Sequence, residues 1–435
     1  MKIFIFFVIL LILYLRYYVF LKIQLINFLA LRRGLVTFNC FWYNVSEFLL
    51  KDTSGINLFY YLKNNYKQDF CQISMFGTKT HLLLNPNNIK YILDNSPYKF
   101  SAGILKIKFF NSFMKKNVGI SCGCPWKKRR EANENTLPQN EYFDPVINNQ
   151  IYKYLKQLEN KNEINFNNLK IISNKITGFV IFGEDKLDNI YSQFFKEVNQ
   201  SSVLWNYKSN RKFKFKKSFI YLLKNSLKNP NPNSLIDKLS KNINLSDKEL
   251  IDQIPHFIFP IVSLFITTLP RILLMLSNHN KIYKKLILDI ENNNKSNYLR
   301  KIILEMVRLN NPVNTTFRTV NQDTLFEDYK IKKGEQILIL NNSILRNKNK
   351  FKNPNKFIPE RWNKDLEDSY YSISFNQGPQ KCPGKELSIF LLKSFILNLF
   401  KLKKLSITNK IISKKIDKNY IPQIINPCKL KFKFI

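Results

Sequence analysis

Cys382 lies in the stretch Phe375–Leu387, FNQGPQKCPGKEL, between the Gly378-Pro379 pair and Pro383, with Gly384 two residues on. Downstream, Leu387, Phe390, Leu391, Phe395 and Leu399 fall at helical spacing, so the sulfur sits on a loop just ahead of a helix. Backbone N–H groups and the positive helix end there favour a thiolate over a thiol. A thiolate so placed is a nucleophile or a metal ligand. The nucleophile needs a histidine base, and the whole chain offers only His81, His256 and His279. A buried cysteine in a tight turn is the plainer reading of this loop taken alone.

Three further groups have spacings that matter. Trp126 and Arg130, four residues apart, share one helical face with a basic run around them; alone they describe a charged helix surface. Glu305 and Arg308 are three apart in Tyr298–Leu309, YLRKIILEMVRL, an amphipathic helix ended by Pro312. Thr267 and Thr268 lie in Ile254–Leu276, an almost purely apolar stretch with Arg271 its only fixed charge. Pro255, Pro260 and Pro270 argue against an unbroken span there, although neighbours can mend such breaks.

Taken in order, these features resemble the cytochrome P450 haem-thiolate monooxygenases over roughly residues 70–430. Phe375-x-x-Gly378-x-x-x-Cys382-x-Gly384 is similar to that family's haem-binding loop. The resemblance implies haem b (iron protoporphyrin) as cofactor and Cys382 as the ligand to its iron. It makes Gly378 and Gly384 points of close approach and Phe375 a shield for the sulfur; the thiolate donates electron density that favours O–O cleavage. Trp126-x-x-x-Arg130 looks like the family pair that reaches a haem propionate, and Arg318 like its strand arginine that holds one. Glu305, Arg308 and Arg361, the last from Pro359-Glu360-Arg361, are implied to form a buried ion network that locks the loops around the haem. Ser263–Thr268 stands in place of the family's Ala/Gly-Gly-x-Asp/Glu-Thr-Thr, which makes Thr267 and Thr268 the catalytic candidates, with Thr267 handling bound oxygen.

Three positions depart from the pattern. Gln380 stands where the family has an arginine for a propionate, and neighbouring Lys381 is a point charge rather than a bidentate fork. Ile266 replaces the acid that relays protons, and Leu264 replaces a glycine above the iron. Pro270 leaves the carbonyl of Ile266 without its helical partner, an opening in which a water can bind. The implied function is oxidation of a small apolar substrate with dioxygen and electrons from an NADPH-dependent reductase. The departures leave two alternatives open: a non-oxygenating haem-thiolate isomerase or dehydratase, and a degenerate, inactive haem-binding protein.

The elements that must position these groups are mainly helices with small β-sheets. Cys71–Phe76 and Thr78–Leu84 read as a hairpin around Gly77, and Pro86 opens a helix ending near Asp94. Tyr329–Lys332 and Gln336–Leu340 flank Gly334 as strands, and Lys401–Ile435 alternates enough for a strand pair. With 435 residues and 45% hydrophobic content the chain has ample material for a core. A net charge of +38 ordinarily suggests nucleic acid or anionic membrane, but the lysines are spread among abundant Asn and Ile, as compositional bias produces. Lys212–Lys217, KFKFKK, interleaves aromatic and basic residues as single-strand binders do, yet no second platform follows. It reads as a loop or a patch at a membrane surface, and no nucleic-acid partner is expected. The six cysteines form no CxxC pair and no disulfide framework, which fits a reducing compartment.

Ile3–Leu21 is apolar except for Arg16 and spans roughly 28 Å as a helix, close to a bilayer core. Lys22, Arg32 and Arg33 outweigh Lys2, which places the downstream side in the cytosol. The expected organisation is a single-pass membrane anchor at 1–24, a linker at 25–60 and a cytosolic haem-binding catalytic domain at 61–435, on the endoplasmic reticulum.

Overall fold

The computed structural model describes residues 5–11, 13, 14, 17, 18, 37, 38, 70–75, 78–83, 85–161, 163–185, 187, 189–200, 213–292, 297–313, 315–326, 329–402 and 431–433. Within the expected anchor, the described residues are helical and their apolar side chains are exposed. The 25–60 linker, apart from Thr37–Phe38, lies outside the described residues, as do Cys40 and Cys428.

In chain order, β1 (Thr37–Phe38), β2 (Phe70–Met75) and β3 (Thr78–Leu83) precede α1 (Pro86–Asp94), β4 (Phe100–Ala102), α2 (Ile104–Asn111) and α3 (Gly123–Thr136). Next come β5 (Glu163–Asn165), several further helices, the long α4 (Asp247–Asn278) and α5 (Asn297–Leu309). The chain continues through β6 (Thr315–Val320), β7 (Thr324–Phe326), β8 (Tyr329–Ile331) and β9 (Gln336–Leu340), then α6 (Lys385–Leu402) and β10 (Lys431–Lys433).

Local chemistry sets the boundaries. At α1, Asn85 accepts the Asn87 N–H at 2.9 Å as the N-cap, and Pro86, which has no N–H to lose, fills the first turn. The main sheet has the order β1-β2-β3-β9-β6-β4. Its central strand β9 is buried along its whole length, parallel to β3 and antiparallel to β6, which explains the near-continuous apolar run QILIL. The register sets Arg318 of β6 opposite Ile337 of β9 on one side and Ala102 of β4 on the other.

The strands expected on either side of Gly334 do form, but not as partners: β8 pairs with β7, whereas β9 joins the main sheet. The terminal strand β10 likewise pairs with β5, Phe432 opposite Ile164, far back in the chain. Alternation identifies a strand without identifying its partner.

In the proline-rich stretch the neighbours do mend the breaks. From a capping box at Ser246 and Glu249, α4 runs through Pro255 and Pro260 to Asn278. Its misfit is gathered into one widened π turn at Leu264–Thr268, where the Leu269 N–H reaches back to the carbonyl of Leu264, immediately before Pro270. By length and apolarity this helix qualifies as a membrane span, but most of it is buried against its neighbours, including the helix Phe166–Phe182. Phe265 of its π turn meets Phe395 of α6 with ring centroids 5.6 Å apart.

Lys212–Lys217 is resolved in the same way. Phe213 is buried, edge-on to Phe113 and Phe194, and Phe215 packs against the core. These rings face inward, so the aromatic half of the alternation is neither a stacking platform nor a lipid-dipping patch.

Candidate active site

The cysteine loop is held from several sides. The Cys382 N–H donates to the carbonyl of Phe375 at 2.7 Å, closing the loop on itself. Gln377 donates to the carbonyls of Glu367, Ser369 and Ser372, and Asn376, with φ of 59°, donates from its side chain to the Gln380 carbonyl at 2.9 Å. Gly378 has a φ of 70°, and a Cβ there would sit 2.7 Å from the carbonyl oxygen of Leu93, so only glycine fits. Arg130 Nη1 donates to the Lys381 carbonyl at 2.6 Å, tying α3 to the residue just before the cysteine.

Cys382 itself is exposed, yet desolvation is the largest influence on its thiol. Both hold for a side chain lining a concave face. Burial pushes the thiol up; the Gly384 N–H and the charges of Arg130 and Lys385 pull the other way without prevailing. A coordinating cation would deprotonate such a thiol. Phe375 is half-buried against the core beside it. Gly384 has open space on its Cβ side, so no protein contact demands glycine there.

Along the middle of α4, His256, Phe259, Pro260, Val262, Ser263, Leu264, Ile266 and Thr267 keep accessible surface. Of these, His256, Pro260, Ser263 and Thr267 are spaced as one helical stripe. Thr267 Oγ1 donates to the Ser263 carbonyl at 2.6 Å and lies 3.4 Å from Ser263 Oγ. Arg271 Nη1 caps the Thr267 carbonyl at 2.9 Å. Thr268 is buried whereas Thr267 keeps accessible surface, so the two threonines divide. Leu264 packs against the core.

Buried cations stand on α3 and on β6. Trp126 and Arg130 are both buried on one face of α3, with Trp126 edge-on to Tyr98 at 5.8 Å. Arg130 Nε donates to Glu134, but its Nη2, 2.7 Å from the same carboxylate, is not aligned for a hydrogen bond. Arg318 is buried, with Nε donating to Ser96 Oγ at 3.1 Å and Nη1 to the Phe317 carbonyl at 3.0 Å. Among the described residues no carboxylate pairs with it, and burial pulls its guanidinium down to about 10. His256, hydrogen-bonded through Nδ1 to Asn117 Oδ1 at 2.8 Å, is held down to about 4 by burial and by the charges of Lys106 and Arg130. A soft sulfur ligand and a buried Arg318 with no carboxylate partner among the described residues fit a metal-centred anionic group such as iron protoporphyrin.

Below the loop, Glu305, Arg308 and Arg361 are brought together. Glu305 accepts from Arg308 Nε at 2.9 Å and Nη2 at 2.8 Å, and from Arg361 Nε at 3.1 Å. Sequence reasoning missed two more donors to it, Trp362 Nε1 at 2.9 Å and the Ile358 N–H at 3.0 Å. It also missed a second network: Arg300 of α5 bonds both Glu367 and Glu386, and Lys385 bonds Glu367, which fixes the start of α6 next to the cysteine. The one available signal was Glu386 directly after the loop, an acid with no obvious partner nearby in sequence.

A family model for cytochrome P450 matches residues 210–432. The chain is 34% identical over 108 residues to (21S)-21-acetyl-1-hydroxy-apo-melianone synthase of Melia azedarach, covering 25% of this chain and 22% of that protein. It is 29% identical over 178 residues to cytochrome P450 85A2 of Arabidopsis thaliana, covering 37% of this chain and 38% of that one. These matches span between about a fifth and two fifths of the relatives' length. In structure it is similar to a retinoic acid-bound cyanobacterial P450, CYP120A1, with a TM-score of 0.66 at 18% identity, over 81% of this chain and 88% of that one. That likeness establishes a mainly helical fold with small sheets, shared with the family.

Proposed function

The chain belongs to the cytochrome P450 family, and from that premise we propose that it is a haem-thiolate monooxygenase acting on a small apolar substrate. Cys382 is the iron ligand of haem b; the bound haem supplies the activation of dioxygen with two electrons. Trp126, Arg130 and Arg318 hold the propionates, Phe375 shields the sulfur, and Gly378 and Gly384 let the loop approach the ring. Thr267 anchors its hydroxyl proton on the Ser263 carbonyl, leaving oxygen lone pairs to accept from a bound partner. Thr268, buried, holds the widened turn against the core. Glu305, Arg308 and Arg361 are structural.

The observation that supports this reading is the cysteine loop itself: an accessible sulfur on a loop that admits only glycine at 378 and is tied by Arg130 to the helix bearing Trp126. Lys381 and Lys385 give the sulfur side a basic surface for an acidic, NADPH-dependent reductase. Residues 1–24 serve as a single-pass anchor and 25–60 as a linker, with 61–435 as the catalytic domain on the cytosolic side of the endoplasmic reticulum. The exposed apolar helix at 5–11 supports the anchor.

The test is the spectrum of the purified protein, reduced and exposed to carbon monoxide. A strongly red-shifted Soret band is the expected result; a band at the histidine-haem position, or no haem, overturns the assignment. One observation favours a second reading, a non-oxygenating isomerase or dehydratase: Ile266 occupies the acid position, and Thr267 Oγ1 has only Ser263 as a side-chain neighbour among its hydrogen bonds. Product formed from a peroxide without reductant or dioxygen would favour it; product coupled to both favours oxygenation.

A further inference from the structure

The loop that carries Cys382 is anchored at both ends to one side chain. Arg300, the fourth residue of α5, presents its guanidinium to two carboxylates at once. Nη1 and Nη2 each donate to Glu386 at 2.8 Å, a bidentate fork onto the second residue of α6, four residues after the cysteine. Nη2 and Nε donate to the two oxygens of Glu367, in the short helix Lys364–Asp368 upstream of the loop. The Glu367 carbonyl in turn accepts from the side chain of Gln377, five residues before the cysteine, at 3.3 Å. Lys385 Nζ, 2.7 Å from Glu367, joins the exit of the loop to its entry directly. Helix α5 makes a further contact of its own: Ser374 Oγ, just ahead of Phe375, donates to the carbonyl of Val307 at 3.2 Å.

Resting on the haem-thiolate reading above, we infer that Arg300 is a positioning residue for the iron ligand: by tying the entry and the exit of the Cys382 loop to one helix, it sets where the sulfur stands.

Between the two ties the loop holds only the single 3₁₀ turn Gly378–Gln380, so it has no ladder of hydrogen bonds to resist displacement. A metal–ligand bond is exacting by comparison, its length holding within about 0.2 Å. Both ends of the loop must therefore be fixed to the same body. An arginine suits the task because its planar fork holds two carboxylates in set directions, which a lysine ammonium cannot do. The cluster is also largely withdrawn from water, with Arg300 19% exposed, Glu367 8% and Glu386 11%, so its bonds are screened less than those of a surface pair. The Glu305 network does a different job, since its bonds run to Arg308 and to Ile358, Arg361 and Trp362 rather than to the cysteine loop. The competing account is an ion cluster that adds stability alone and leaves the sulfur to Arg130 and to the bond from the Cys382 N–H to Phe375.

The experiment records the carbon monoxide spectrum of the reduced, haem-loaded full-length protein, per haem bound, with stability followed separately by urea unfolding. Arg300→Leu is expected to move about half or more of the red-shifted absorbance to the histidine-haem position, the scale on which outer partners of a metal ligand act. Ile164→Ala, a cavity in β5, whose partner strand is β10, is the control: it should lower stability and leave the band where it is. Arg300→Lys keeps the charge but not the fork, and Glu386→Gln keeps the shape of the exit tie but not its charge. Each should move a smaller share of the band, so the test stands even where Arg300→Leu fails to fold. A full red-shifted band in every Arg300 and Glu386 variant that folds overturns the inference. So does an equal loss in Ile164→Ala, which marks the clamp as general stability alone. Wild-type protein without a red-shifted band overturns the haem-thiolate reading itself, a result distinct from both.

Discussion

Removing Glu305 is the sharpest test of how the loops are held. Its carboxylate is fully buried and accepts from Arg308 twice, from Arg361, from Trp362 and from the Ile358 N–H. Arg308 is also fully buried, and its remaining partners are the carbonyls of Leu345, Pro354 and Lys356. Glu305→Ala therefore strands a guanidinium in the core and orphans an indole N–H and a backbone N–H. Breaking one side of a buried pair costs about 3–5 kcal/mol, a large share of the roughly 5–15 kcal/mol that holds a typical domain. The exposed pair Lys364–Asp368 provides the contrast, since losing such a pair costs about 0–1 kcal/mol. Urea unfolding of the apo-protein, followed by tryptophan fluorescence, measures both without linkage to bound haem. Glu305→Ala within about 1 kcal/mol of wild type, at unchanged m-value, would refute the reasoning. Glu305→Leu with Arg308→Met should recover much of the loss, because it removes the stranded charge as well as the pair. A double variant as unstable as the sum of its singles would show that packing, not the ion network, dominates.

Other outcomes follow from the same geometry. Cys382→Ala should abolish the red-shifted carbon monoxide band; its persistence would exclude Cys382 as the iron ligand. Ile266→Asp should raise product formed per NADPH consumed if the missing acid limits turnover, and unchanged coupling would place the limit elsewhere; the new carboxylate should also lower stability, since α4 is apolar around it. Arg130→Leu frees the Lys381 carbonyl and should weaken haem retention, read as faster haem transfer to apomyoglobin, whereas Arg129→Leu, whose partners are Glu249 and Ser121, should change it much less. Burial alone would raise the Glu335 carboxyl, but hydrogen bonds from His81 and Lys79 outweigh it and hold the group down to about 2 from its ordinary 4.5. A depressed carboxylate stabilises the fold above about pH 4.5, and that contribution is lost as the pH falls through about 2. The stability gap between wild type and Glu335→Gln should accordingly narrow on acidification across this window, and a gap constant from pH 6 to pH 2.5 would contradict the assignment.

Much of the site was legible because its residues are tied by short-range geometry. Glu305 and Arg308 share a helical face by their spacing alone, as do Trp126 and Arg130. The glycines and prolines around Cys382 constrain the loop before any partner is considered, and Asn85-Pro86 writes its own helix start.

What depends on chains meeting from afar was not legible. Alternation named β10 but not its partner β5, and Lys212–Lys217 has the same pattern whether its rings face the core or the solvent. The donors Trp362 and Ile358 on Glu305 and the clamp of Arg300 on Glu367 and Glu386 all join segments far apart in the chain. The balance at Cys382 is of the same kind: burial pushes the thiol up while the Gly384 N–H and the charges of Arg130 and Lys385 pull it down. Backbone hydrogen bonding acts over a few residues and leaves a period in the sequence, whereas burial and electrostatics are sums over everything that folds close by, and only the tertiary structure supplies that sum.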